Sequence, residues 1–293
     1  MIVTLNNSTF TAQIDSLGAQ LISLKDAEGT EYIWQRDPAH WGNCSPLLFP
    51  TVGNCRNGKT MIDGQWYEIP KHGFCKVTDF AVEQKSDSCA AFTICDTEET
   101  RKVYPYSFRL TLTYTMAEDG IHMDYQVENT DTRAIHYELG AHPGFTCPLA
   151  DGEHFSDYVL EFEKEETASS MVYDLEHLQF DATNRVPRLD HSRILPLSYD
   201  LFEKDAIFFD DIASRRVAIK NPATGRGVEV DYHDFETVAF WTAMPSQGPF
   251  LCIEPWNGSA IRSDEDDDFL SRHFLQTLKV GEKKDYHLGI KVL

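Results

Sequence analysis

A chain of 293 residues with 42% hydrophobic and 12% aromatic content can bury a large core, which excludes an intrinsically disordered protein. Its formal charge of -21 argues against nucleic acid or an anionic membrane as partner, because both are bound mainly through Lys and Arg contacts to phosphate. No stretch approaches the ~20 apolar residues that span a bilayer, and the N-terminus enters a strand pattern without a secretory signal, so a cytoplasmic protein is expected.

Residues 2–34 read as a β-meander: Ile2–Leu5, Thr9–Ile14, Ala19–Lys25 and Glu31–Trp34, punctuated by Gly18, Gly29 and the turn Asn6-Asn7-Ser8. The segment Trp41 to Arg56 is apolar, broken by Pro46 and Pro50, and too irregular for a helix. It presents Arg56, whose five donors suit sugar hydroxyls, a carboxylate or a phosphate; the alternative is a structural pair with an acid such as Asp63. Met61–Ile69 is a hairpin turning at Asp63-Gly64. It leads to His72, flanked by Gly73 and Phe74, where backbone can approach a ligand closely.

From 79 to 128 the chain is antiparallel strand. Phe108, Leu110, Leu112, Tyr114 and Met116 alternate with polar residues, and Ile121–Val127 returns in the same pattern, giving a long hairpin with one buried face. His122 falls within that alternation and reads as an ordinary strand residue. Tyr137–Ala141 ends at His142-Pro143-Gly144, which holds His142 on a rigid strand-to-loop corner. Residues 150–200 are more open, with Tyr158–Phe162 as one clear strand. A short helical turn near Tyr199 enters the strand ending at Phe209, with Asp205 at the junction. Val217–Lys220 and Gly227–Tyr232 form a hairpin, and Val238–Trp241 precedes Phe250–Glu254.

That last strand is read as ending at Glu254, which delivers one carboxylate beside the indole of Trp256 in a loop stiffened by Pro255 and Gly258. The acidic run Ser263–Asp268 reads as a solvated loop, with cation binding as the alternative. Tyr286–Val292 is the last strand. Seven cysteines without a CxxC pair are expected as reduced thiols; Cys55, His72 and Cys75 fit no usual zinc spacing, so no metal site is expected.

Roughly twenty short strands, no strand–helix alternation and no fixed-period repeat predict an all-β protein, a single antiparallel sandwich domain over 1–293. The ordered motifs carry a resemblance. They are Trp41 to Pro50 (Trp-x-x-x-Ser-Pro-Leu-Leu-Phe-Pro), Val52-Gly53 with Arg56, Asp63-Gly64, His72-Gly73-Phe74, Tyr104-Pro105-Tyr106, Gly140 to Phe145 and Ile253 to Gly258. Together they resemble the aldose 1-epimerase (galactose mutarotase) family, in its LacX-like branch, over nearly the whole chain.

The resemblance implies a galactose mutarotase-like super-sandwich that interconverts the α and β anomers of a sugar. Glu254 matches the general base, His142 the general acid, His72 the second active-site histidine and Arg56 the arginine that holds the sugar. Asp205 matches the substrate-binding aspartate, with Asp200 and Asp210 as neighbouring alternatives. Ring opening of a hemiacetal needs a base at the anomeric hydroxyl and an acid at the ring oxygen, and an ionised Glu254 with a protonated His142 divides that work near neutral pH. Trp256 or Trp241 offers a face to the sugar, and no cofactor is required. The partner is a small-molecule sugar, and the protein is expected as a monomer or homodimer. The alternatives are a hexose-6-phosphate 1-epimerase gripping phosphate through Arg56 and another cation, a non-catalytic sugar-binding protein, and a glycoside hydrolase with Asp205 as second carboxylate.

Overall fold

The computed structural model describes all 293 residues, and the chain is overwhelmingly antiparallel strand. Ile2–Asn6, Phe10–Asp15 and Gln20–Asp26 form a three-stranded sheet. A fifteen-stranded sheet takes most of the remainder. From one edge its order runs Leu47–Leu48, Leu139–Ala141, Phe250–Asn257, Thr237–Trp241, Ile207–Phe209 and Val159–Asp174. It continues through Arg216–Lys220, Gly227–Asp231, Lys283–Val292, Gly120–Asn129, Phe108–Ala117 and Cys89–Cys95 to Ala81–Ser86, while the other two strands, Gly144–Thr146 and Gln179–Pro196, pair off this path with Phe250–Asn257 and Val159–Asp174.

The alternating pattern of 108–128 folds as a hairpin in which Met116 faces Ile121, Tyr114 faces Met123 and Leu112 faces Tyr125, all buried. The small sheet packs onto this face, where the buried Tyr114 hydroxyl donates to the carbonyl of Ala19 at 2.7 Å. The all-β antiparallel architecture expected from the sequence is thus present.

One region differs from the sequence reading. Residues 150–200 contain the two longest strands, Val159–Asp174 and Gln179–Pro196, rather than mostly turns. Register shifts after Glu161, Glu166, Ala168 and Met171 break the two-residue alternation, and the second strand is an exposed, polar partner, so its period was masked. All seven cysteines are free thiols, and Cys44, Cys55, Cys75, Cys147 and Cys252 are buried.

Candidate active site

Glu254 lies inside a fully buried strand, Phe250–Asn257, and the two-residue period puts Cys252, Glu254 and Trp256 on one face. The strand does not stop at Glu254 as the sequence suggested. It runs on through Pro255 because the neighbouring ladder is interrupted there: 250–252 pairs with Gly144–Thr146 and 256–257 with Leu139–Gly140. Ile253 donates to the Pro143 carbonyl at 3.2 Å, so the nitrogen of Pro255, two residues on, faces the same corner, where no strand awaits a donor.

His142 occupies that corner. Its Nε2 lies 3.1 Å from Oε2 of Glu254, and both side chains are almost fully buried. The Trp41 indole stacks on the imidazole with ring centroids 4.9 Å apart. Gly140 is required beneath them, since a Cβ there would sit 2.6 Å from Cδ1 of Trp256.

His72 approaches from a separate loop, its ring centroid 5.6 Å from that of His142. It has a left-handed backbone, φ 65°, followed by Gly73 at φ 69°; a Cβ on Gly73 would lie 2.0 Å from the Phe49 carbonyl oxygen. The Gly53 amide donates to Nδ1 of His72 at 3.1 Å. With Nδ1 accepting, a neutral His72 carries its proton on Nε2. The preceding residue, Val52, donates to Oε2 of Glu138 at 2.9 Å, and that carboxylate is held bidentately by Arg272 in an ion pair without solvent access. Arg272 also donates to the carbonyls of Val52 and Ser259. The sequence reading missed this pair; its one signal was an acid within the apolar run Tyr137–Ala141.

The electrostatics depart from the expected ionised Glu254 and protonated His142. Burial pushes the Glu254 carboxyl well above the carboxylate range, assisted by the nearby Asp205 charge and opposed by Lys71. Burial likewise pulls the His142 imidazole far down, with Lys71 and Lys76 adding to the effect. Burial thus acts on both groups in the direction of their neutral forms. His72 is also neutral, its imidazole lowered by burial and by His142.

The ligating atoms of His142, Cys252 and Glu254 all fall within 4.8 Å of one another, in place of the Cys55, His72 and Cys75 weighed from sequence. Burial holds the Cys252 thiol well above its usual range in the metal-free protein.

A cavity of about 300 Å³ opens above Glu254, His142 and His72. Asp205, Trp41, Trp241 and Trp256 contribute to its wall, and two lysines, Lys71 and Lys76, that sequence reasoning passed over also line it. The buried indole Nε1 of Trp256 has no acceptor. Asp205 is presented by a left-handed residue, φ 71°.

Arg56 is outside this cavity, on the wall of an adjoining, more open one of about 1220 Å³; the two share Asn54, Lys71 and Tyr173. Its guanidinium donates to Oδ1 of Asp267 at 2.9 Å and to the carbonyls of Arg262 and Glu265. The acid weighed as its partner, Asp63, pairs with Arg133 instead. Arg56 thus ties down the acidic run, in which Asp264 pairs with Arg262 and Glu265 accepts from the amides of Arg262 and His273.

A carboxyl and an imidazole thus lie side by side at the floor of a cavity of about 300 Å³, on an antiparallel β-sandwich. The aldose 1-epimerase family model matches residues 1–290. The chain is 36% identical over 271 residues to the LacX protein of Lactococcus lactis subsp. lactis, covering 90% of each. It therefore belongs to the aldose 1-epimerase family. Among solved structures, a galactose mutarotase related enzyme from Lactobacillus acidophilus is similar at a TM-score of 0.94 and 29% identity, covering 100% of this chain and 97% of that one. A galactose mutarotase-like protein from Lactobacillus casei ATCC 334 is similar at 0.90 and 27%, covering 100% of both chains.

Proposed function

We propose that this protein is an aldose 1-epimerase in which Glu254 and His142 open and reclose the sugar ring. The observation that carries this reading is the 3.1 Å approach of His142 Nε2 to Glu254 Oε2 at the cavity floor. The hydroxyl and ring oxygens of a hemiacetal are bonded to one carbon, so an acid and a base serving both must sit side by side.

A proton shift across the 3.1 Å contact from the Glu254 carboxyl to the His142 imidazole gives the reactive form, and the Glu254 carboxylate then takes the proton of the anomeric hydroxyl as its oxygen forms the aldehyde carbonyl. The bond between C1 and the ring oxygen breaks, and His142 gives a proton to the departing oxygen. Rotation about C1–C2 and reclosure with the roles reversed yields the other anomer. The direction of both shifts favours this step. A carboxylate whose pKa is raised is a stronger base, and an imidazolium whose pKa is lowered is a stronger acid. The transfer leaves the pair neutral, the form its burial prefers. Nε2–H of His72 is a donor for a sugar hydroxyl or for charge developing on the ring oxygen, Asp205 an acceptor for sugar hydroxyls, and Trp256 a wall for the C–H face. A hydrolase would place a second carboxyl in partnership with Glu254 across the scissile bond, whereas the immediate partner here is an imidazole.

The test is saturation-transfer NMR of anomer exchange on glucose, galactose, mannose and tagatose. Acceleration by the native protein that is lost by ~100-fold or more in Glu254→Gln and His142→Ala, both folded, is expected. Binding of sugar without accelerated exchange would replace this reading by a non-catalytic carbohydrate-binding role.

A further inference from the structure

We infer that the sugar taken by this site carries an anionic group remote from its anomeric carbon, held by the ammonium groups of Lys71 and Lys76. This rests on the epimerase reading only for the position of C1, at Glu254 and His142.

The chain has 47 acidic residues against 26 basic ones, so two cations facing one cavity run against its overall charge. Lys71 and Lys76, the two that line the catalytic cavity, form no salt bridge. The Lys76 ammonium donates to the Lys71 carbonyl at 2.9 Å, which ties it to the loop that carries His72 and leaves its charge uncompensated. Lys76 is partly buried, and both desolvation and the neighbouring Lys71 charge push its ammonium down. Two like charges near one another, one of them partly desolvated, are costly until an anion joins them.

The position of the pair fits a substituent rather than the reacting carbon. Lys71 lines both the 300 Å³ cavity and the larger one beside it, so a sugar with C1 over Glu254 can direct a distal group to the junction between them. The cation expected from sequence for this task, Arg56, is occupied by Asp267 and two carbonyls. The shared ligand chemistry is an anion on an aldose, supplied by a phosphate monoester or by the carboxylate of a uronic acid.

The experiment measures affinity and anomer exchange separately. Tryptophan fluorescence, which Trp41 and Trp241 in the cavity wall make responsive, gives Kd for glucose, galactose, their 6-phosphates, glucuronate and galacturonate, and saturation-transfer NMR follows exchange of the same sugars. At least ~10-fold tighter binding of one anionic class than of the neutral parents is expected, weakening with added salt. In the Lys71→Gln, Lys76→Gln double variant, with its thermal midpoint checked, that preference should fall to within about twofold. The class that gains identifies the anion as phosphate or carboxylate. Neutral sugars that bind and exchange as well as the anionic ones, or a preference that survives in the double variant, would overturn the inference while leaving the epimerase reading intact. Tight, lysine-dependent binding of an anionic sugar without faster exchange would support it and overturn the epimerase reading instead.

Discussion

Gly53 and His72 are joined twice: the Gly53 amide donates to Nδ1 of His72 at 3.1 Å, and the His72 amide donates to the Gly53 carbonyl at 2.6 Å. The first bond selects the ring tautomer and the second fixes the loop, so Nε2–H is a preset donor in the cavity. His72→Asn suits the left-handed backbone, which Asn tolerates, while removing that donor. Anomer exchange is expected to fall by about 100-fold at an almost unchanged thermal midpoint. An unaltered exchange rate would show that His72 only closes the cavity.

Glu254 makes stability depend on pH in a direction that can be worked out. Its folded pKa lies above the unfolded value, so its contribution is complete below the ordinary ~4.3 and is lost as pH rises toward the raised value. His142, whose pKa is lowered, acts oppositely: its contribution is complete above ~6.5 and is lost as pH falls. Glu254→Gln removes only the first dependence. Urea midpoints from pH 4 to 8 are expected to show the variant gaining on the native protein as pH rises, and equal midpoints throughout would refute the raised carboxyl.

Much of this was legible in the sequence for local reasons. The hairpin of 108–128 was visible because one face is wet, and Asp63-Gly64 because its turn chemistry is specific. Glu254 and His142 were singled out as candidates because each sits beside a proline or glycine break in an apolar strand. What failed was non-local. Lys71, Lys76 and Trp41 acquire meaning only when the loops of 41–56 and 70–77 meet over the strand Phe250–Asn257, and Glu138 needs Arg272, distant in sequence, to be intelligible. The upward push on the Glu254 carboxyl could not be anticipated either, because it comes from burial.

Arg56 separates what the resemblance implies from what the geometry supports. Held by Asp267 and the carbonyls of Arg262 and Glu265, it is expected to act on the acidic loop and not on the sugar at Glu254. Arg56→Gln should cost about 1 kcal/mol or less in a half-exposed pair, measured by urea unfolding, and raise KM for a neutral aldose less than ~3-fold. A rise in KM of ~100-fold or more with kcat unchanged would restore the sugar-holding role, since that pattern marks lost ground-state binding.

The strongest structural dependence falls on Arg272. Its guanidinium and Glu138 are shut away from water together, and the same carboxylate receives the amides of Val52 and Ser259. Removing one partner leaves a buried charge without compensation, so Arg272→Met is expected to destabilise the fold by ~3–5 kcal/mol. Replacing both, as Arg272→Met with Glu138→Leu, removes that penalty and should recover a large part of the loss in urea unfolding. Exchange activity should not recover in parallel. Without the carboxylate, Val52 loses the acceptor that fixes the adjoining Gly53, and Gly53 is the residue that orients His72. A double variant that regains both stability and activity would show that the pair supports the core alone and has no part in placing the histidine.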